Sequence, residues 1–375
     1  MNSKHLDASF GINALSTKLS ILISAICLIA GLSAAYLMVK SERKQLLFEE
    51  FGVLTELSKP FVSRFENLLN EKKRIAIDAN TIVTEALYSE SALAEKIVPS
   101  KLVFGKDGSI RSSSSTNVAG VRSAAFLPQQ SYSHEYKRIF SQTEKVWSQI
   151  APILTDETFF NFYFISQDRF IRISPPNWAL NVPASHDFRQ DVFYEIGTPE
   201  FNPNLEATWT PIYYDDIWER WVISLIVPLH YGGEFKGVTG SDIELPKLQA
   251  MFPDKVGDAK LFVLNGKGQI IQFEGKTDII NRLSGSMNDS LDTKNQLPDE
   301  LRNQVEQLLT SQRHELQGEF AIDDSKHIFS IKKFSDFDWY IGVYKTHSEA
   351  LSAIDEIEVK FFGLFILYAV LVVLL

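Results

Sequence analysis

Two apolar segments bracket everything else in this sequence. Leu19–Val39 carries no charged residue and is long enough to cross about 30 Å of hydrocarbon as a helix. Phe361–Leu375 (FFGLFILYAVLVVLL) is apolar to its last residue but shorter than a full span. The expectation is the front part of a longer protein, cut within its second membrane helix. A cleaved signal peptide is the rival reading of the first segment, with Ser33-Ala34-Ala35 as its small-residue site. Its apolar run exceeds the usual signal core, so a retained anchor is preferred. Lys40, Arg43 and Lys44 follow the span and Lys4 and Lys18 precede it, which leaves the positive-inside rule ambiguous. A loop of about 320 residues translocates largely regardless of such charges, so the region between the spans is expected on the far side of the membrane from the cytoplasm.

Composition narrows the partners. The net charge is −10, and no dense Lys/Arg run offers a phosphate-binding footprint, which argues against nucleic acid. The single cysteine, Cys27, lies in the first apolar run, so an intrachain disulfide and a Cys-based zinc site are both excluded. With 45% hydrophobic and 12% aromatic residues, the region between the spans has material for cores of its own.

Ser41 to Val98 reads as one long helical region. Leu47, Phe51, Leu54, Ser58, Phe61, Phe65, Leu68, Lys72, Ile75, Ala79, Ile82 and Ala86 alternate steps of four and three, a heptad-like stripe broken only by Ser58 and Lys72. Leu46, Val53, Leu57, Leu69, Ala76 and Val83 widen the face, so packing on the chain's own core and a homodimer seam are both open. Pro60 predicts a kink or break near Ser58–Lys59. Beyond it, Lys101–Ser114 reads as a hairpin, Tyr136–Ile153 as a helix and Phe159–Ser174 as a second hairpin turning at Gln167-Asp168. A loop-rich, proline-marked stretch to Pro203 follows. The pattern then recurs in smaller form: a hairpin at Ala259–Phe273, a helix at Pro298–Thr310, and strands at Leu316–Phe320, Lys326–Phe334 and Trp339–Tyr344. Thr346–Lys360 reads as a helix leading into the second apolar segment. Hairpin, helix and antiparallel strands thus occur twice, which predicts two tandem α+β units.

Asp187 to Leu245 is the densest stretch. Val222–Pro228 and Phe235–Ile243 are strands, joined by turn residues Tyr231-Gly232-Gly233-Glu234. Tyr194, Trp209, Tyr213, Tyr214, Trp218 and Trp221 supply flat faces and polar handles suited to a pocket wall. The stretch resembles the bacterial double Cache sensors (tandem PAS-like, or PDC, domains), whose pattern is approximately D-x-R-x-R-x-W-Y, W-T-x-x-Y-x-D, a proline-containing strand and G-V-x-G-x-D-I. Asp187-Phe188-Arg189-Gln190-Asp191-Val192-Phe193-Tyr194 matches the first element, Trp209-Thr210-Pro211-Ile212-Tyr213-Tyr214-Asp215 the second, and Gly237-Val238-Thr239-Gly240-Ser241-Asp242-Ile243 the third.

The resemblance implies an α+β fold, with tandem PAS-like antiparallel-sheet units on a long N-terminal helix between two transmembrane helices. In this chain it implies a cytoplasmic N-terminus (1–18), a membrane helix (19–39), a helical stalk (41–98), a membrane-distal ligand-binding unit (99–255), a membrane-proximal unit (256–346), a linker helix (347–360) and a truncated second membrane helix (361–375). It also implies a multi-pass protein of the bacterial inner membrane with its sensor region in the periplasm. The output beyond the second span would be a histidine kinase or diguanylate cyclase, or alternatively a chemoreceptor signalling coil. The candidate ligand-binding residues are Arg189, Asp191, Phe193, Tyr194, Trp209, Tyr213, Asp215 and Asp242.

Two positions depart from the pattern. Where amino-acid-binding members place an Arg that clamps the ligand carboxylate, this chain has Asp191, and Phe193 replaces the Trp. An ionised carboxylate repels another. Asp242, which in the family holds the ligand's amine, is kept. Asp191, Asp215 and Asp242 together predict an acidic, aromatic-lined pocket for a small amine or other cation, through ion pairing and cation–π contact. The alternative for these acids is scaffolding, paired with Arg169, Arg172 or Arg189.

Catalytic and metal readings find no support in the spacing. Gly232-Gly233-Glu234-Phe235 lacks one acid of the cyclase GG(D/E)EF signature and sits in a turn between strands. The seven histidines show no H-x-H or H-E-x-x-H spacing, and no nucleophile motif such as G-x-S-x-G occurs. No cofactor is expected. A tethered enzyme and an envelope-interaction module without a small ligand remain the readings from other classes.

Overall fold

A computed structural model describes residues 4–98, 101–112, 116–118, 121–128, 132–154, 158–253, 255–273, 297–311, 313–322, 324–335 and 338–374. Eight α-helices follow in chain order among these residues: α1 (Lys4–Tyr88), α2 (Glu90–Ala94), α3 (His134–Leu154), α4 (Asn177–Asn181), α5 (Val192–Glu195), α6 (Leu245–Ala250), α7 (Asp299–Ser311) and α8 (His347–Leu374). The first strands are β1 (Leu102–Phe104), β2 (Ile110–Ser112), β3 (Thr116–Val118), β4 (Val121–Leu127), β5 (Phe162–Ser166), β6 (Ile171–Ser174), β7 (Thr208–Trp209), β8 (Tyr213–Asp215), β9 (Arg220–Tyr231) and β10 (Glu234–Glu244). They form one antiparallel sheet in the order β1-β2-β4-β6-β5-β10-β9-β7, with β3 on β4 and β8 on β9. The later strands are β11 (Lys255–Val256), β12 (Ala259–Asn265), β13 (Ile270–Phe273), β14 (Glu315–Ile322), β15 (Ser325–Lys333) and β16 (Trp339–Thr346). They run β11-β12-β16-β15-β14, with β13 on β12. The fold is thus α+β, with two antiparallel sheets and a long N-terminal helix.

By contact density the chain forms two compact units. One comprises Met1–Leu57, Gln317–Ser330 and Tyr344–Leu375, and the other Ser58–Leu316 and Ile331–Val343. In the second, larger unit, the β9–β10 ribbon is the spine. Gly232 and Gly233 both adopt positive φ, 63° and 82°, the left-handed geometry that lets a two-residue turn follow the strand twist. The sheet buries both faces. One packs Ala79, Val83 and Leu87 of α1 with Phe140 and Trp147 of α3. The other packs Trp178, Phe188, Phe193 and Tyr213 against Tyr163, Ile165, Ile173 and Val238. Each face holds enough buried aromatic area to be a core by itself.

Three expectations change at this level. The long helix runs through Pro60 without a break and ends at Tyr88 rather than Val98. Its most buried residues are Leu54, Ser58, Val62, Phe65, Leu69, Ala76, Ala79, Val83 and Leu87, so the stripe and the wider face both serve the chain's own core; Phe48, Val53, Ile77 and Ile82 are the large apolar side chains it leaves exposed after Lys40. The loop-rich stretch holds α4, a single 3-10 turn at Phe188–Gln190 and α5, elements too short to show a period. In the smaller unit, Lys345 of β16 is 3% exposed and pairs with Glu50 of α1, and Arg43 of α1 bridges Asp355 and Glu358 of α8. One helix among the described residues, α1, is long and apolar enough to cross a membrane.

Candidate functional site

Asp242 sits near the end of β10, opposite Ser224 of β9, and is 2% exposed. Its carboxylate accepts from Asn161 Nδ2 at 2.5 Å and from the Tyr163 hydroxyl at 3.1 Å. Asn161 also accepts from the Asp242 backbone N–H at 2.8 Å, so one side chain grips the residue twice. Tyr163 can approach because β5 lies beside β10 with Gly240 directly opposite it. A Cβ at Gly240 would fall 2.4 Å from the Tyr163 ring.

Asp215 ends β8 and is equally buried. Its Oδ1 accepts from the backbone N–H groups of Ile217 and Trp218, both at 2.8 Å, the local turn that Asp favours. Its Oδ2 accepts from Trp178 Nε1 at 3.2 Å. Tyr213, two residues earlier on the same face of β8, shares a 2.7 Å hydrogen bond with the Ser224 hydroxyl. Phe193 of α5 meets Tyr163 and Tyr213 at ring-centroid distances of 5.9 Å and Trp178 at 6.3 Å.

These side chains enclose one cavity of about 10 Å³, lined by Tyr163, Ile165, Ile171, Ile173, Trp178, Phe193, Tyr213, Asp215, Trp218 and Asp242. That is room for about one water. The Nε1 of Trp218, on this wall, is buried without a hydrogen-bond partner. Burial raises both carboxyls. Asp215 rises to about 7, with Asp242 adding to the shift against the Trp218 and Ile217 backbone donors. Asp242 rises to about 6, held back by Ser224, Asn161 and Tyr163. Neither acid has a Lys, Arg or His ion pair among the described residues. Arg172, fully buried on the other face of the sheet, is bound to Thr143 Oγ1 and the Phe140 carbonyl, and Arg189 forms a bidentate pair with Asp187. Scaffolding by those arginines is therefore not how Asp215 and Asp242 are held.

Of the eight residues singled out by sequence, Phe193, Tyr213, Asp215 and Asp242 line the cavity. The other four lie elsewhere. Asp191 meets His186 Nε2 at 2.7 Å and is not among the residues that line the cavity, where Asp215 and Asp242 are the two acids of the expected three. Burial raises the Asp191 carboxyl, and the hydrogen bond from Asp191 raises His186. Arg189 lies on the surface, Tyr194 packs edge-on against Phe235, and Trp209 lies between Phe159 and Trp339. Sequence reasoning passed over Asn161, Tyr163 and Trp178. The alternation Asn161-Tyr163-Ile165 was the available signal for the first two, since all three share one face of β5 and the residues leading into it. His, Cys, Asp and Glu form no group of metal-ligating spacing among the described residues.

No family model matches the sequence, and no curated protein matches it. Solved structures do match. The ligand-binding domain of Pseudomonas fluorescens chemoreceptor CtaA in complex with L-isoleucine aligns at 16% identity and a TM-score of 0.52, covering 83% of this chain and 98% of that one. The same domain in complex with L-leucine aligns at 15% identity and a TM-score of 0.51, with coverages of 83% and 99%. The ligand-binding domain of the Pseudomonas aeruginosa PAO1 amino acid chemoreceptor PctB in complex with L-Arg aligns at 17% identity and a TM-score of 0.49, with coverages of 80% and 96%. The long helix, the β9–β10 spine and the two antiparallel sheets are those of the double Cache sensor fold.

Proposed function

We propose that this chain is the extracytoplasmic sensing region of a membrane-anchored receptor, and that it binds a small amine or other cation between Asp215 and Asp242. One observation carries the reading: two buried carboxylates line a single aromatic cavity, and among the described residues no cation pairs with either. Buried carboxylates are costly unless compensated. An ammonium group entering between them would offset that cost, and the faces of Tyr163, Trp178, Phe193 and Tyr213 would add cation–π attraction. The similar CtaA domains hold amino acids. Here the absence of an Arg at position 191 and the small cavity favour a ligand that needs no carboxylate clamp, admitted by movement of the Trp218 side of the wall.

The proposed receptor lies in a bacterial inner membrane with the sensor region in the periplasm, α1 and α8 spanning the bilayer, and a homodimer formed along the exposed side of α1. Its output is a histidine kinase or a diguanylate cyclase. The alternative is a chemoreceptor signalling coil, which the CtaA neighbours of the fold support equally, since they are chemoreceptor domains. Signalling requires the ligand to bind one of two arrangements more tightly than the other. Titrating the full chain in detergent with phenethylamine and, separately, with 3-phenylpropionate tests the site. The amine should raise the unfolding temperature and the acid should not, and the amine effect should vanish in Asp242→Asn. Stabilisation by the acid alone, or an amine effect that survives in Asp242→Asn, would remove the basis for the proposal.

A further inference from the structure

A second pocket, of about 340 Å³, opens in the same compact unit as the cavity. It falls in the size range of small-molecule sites, roughly 300–1,000 Å³, whereas the acid cavity holds about one water. Trp209 and Trp339 meet in it with ring centroids 6.5 Å apart, and Ile196 and Phe201 extend the apolar lining. Two oppositely charged side chains line it from different elements: Glu195 of α5, and Lys267 in the turn between β12 and β13. Neither has an ion-pair partner within 4.0 Å among the described residues, the other included. The third charged residue of the lining, Asp338, is already engaged by Lys333 at 2.6 Å.

We infer that this pocket is a second ligand site, for a zwitterion whose ammonium and carboxylate are separated by an apolar body, the chemistry of a dipeptide. The ammonium faces Glu195, the carboxylate faces Lys267, and an apolar side chain lies on the two indoles, where aromatic faces reward apolar contact. The volume exceeds what a single amino acid fills, and the unpaired charges on separate walls demand a ligand with separated ends. The site also bears on the cavity. Val192, Glu195 and Ile196 line the pocket while Phe193, on the same short helix, lines the cavity, so an occupant here rests against the helix that places Phe193.

The test is calorimetric titration of the full chain in detergent with alanyl-phenylalanine, its N-acetyl derivative and its C-terminal amide. The free dipeptide should bind. Removing either terminal charge, or introducing Lys267→Ala or Glu195→Gln, should weaken binding about tenfold, the loss of one charge-assisted contact at a partly open site. Lys267 is exposed and Glu195 half-buried, so both variants should fold as the parent does. Asp242→Asn should leave dipeptide binding unchanged. No binding at millimolar dipeptide, binding indifferent to both charge variants, or binding lost in Asp242→Asn would overturn the assignment.

Discussion

Raising the pH from 5 to 8 without ligand should destabilise the larger unit, and the acid cavity sets the size of the effect. Asp215 titrates at about 7 and Asp242 at about 6 in the folded protein, against 3.8 ordinarily. A carboxyl whose folded pKa is raised holds its proton longer folded than unfolded, so stability falls as pH climbs from the unfolded to the folded value. Taken singly, Asp215 contributes a loss of about 3 kcal/mol between pH 5 and 8 and Asp242 about 1 kcal/mol. Sharing one cavity, they lose their protons as a coupled pair, and the summed loss of about 4 kcal/mol is an upper bound. For a unit of this size that corresponds to a fall of the order of 10 °C in unfolding temperature. His186 and Asp191 act in the same direction. Asp191 is also raised, and the stability from a raised His186 is present below about 6.5 and lost as pH passes its folded value. Asp107, Asp187 and Glu234, held low by neighbouring donors, act in the opposite direction and mainly below this window.

The assay is an unfolding-temperature scan at pH 5, 6, 7 and 8 on the parent, Asp215→Asn and Asp242→Asn. Asn at 215 can keep both backbone hydrogen bonds through its Oδ1, so Asp215→Asn should flatten the upper half of the curve. Phenethylamine binds the ionised acids, so its stabilisation should grow with pH, reaching about 2.7 kcal/mol at a hundredfold excess over Kd. An unfolding temperature that stays level or rises from pH 5 to 8, or a slope undiminished in both Asn variants, would refute the reasoning.

Two substitutions test how the site is held, and a third tests the smaller unit. Asn80 of α1 donates to the Val227 carbonyl at 3.0 Å and to Thr239 Oγ1 at 2.8 Å; Asn80→Ala should cost about 2 kcal/mol in denaturant unfolding by leaving buried groups on the β9–β10 spine unpaired. Gly240→Ala should drive the Tyr163 ring away from Asp242, cost about 1–3 kcal/mol through overpacking, and weaken amine binding in the same titration. In the smaller unit, Glu50→Ala removes the carboxylate that pairs with the buried Lys345. Since Glu50 itself reaches solvent, a loss of about 2–3 kcal/mol is expected from thermal unfolding, with Glu50→Gln milder.

Most of the fold was legible because its signals are local. The hairpins announce themselves through Gly-containing turns and β-branched runs, and α7 through Leu301, Val305 and Leu308, all buried. What escaped lacked local contrast. The residues of β4, Val121–Leu127, include Ser123, Ala124 and Ala125, small side chains with little strand preference, yet Ala124 and Ala125 are wholly buried because β2 and β6 pair on either side. The helices α4 and α5 are held by the aromatic cluster they cover, and four or five residues carry no readable period.

The same division runs through the site. Asp215 and Asp242 could be named because a strand fixes their direction and a motif fixes their position. Asp191 could not be judged so, because in a four-residue helix neighbouring side chains point to different surroundings. Phe193 reaches the cavity, while Asp191, one residue before the helix, turns to His186. The partners that decide the chemistry are remote in sequence: Asn161 and Tyr163 reach Asp242 across 81 and 79 residues. Had Arg172 or Arg189 closed on either acid, the pair would have been scaffold, and sequence alone allowed that. Instead only neutral donors hold the two carboxylates. Neutral donors fix their orientation without cancelling their charge, and it is this uncancelled charge in an aromatic cavity that makes an amine the ligand to try first.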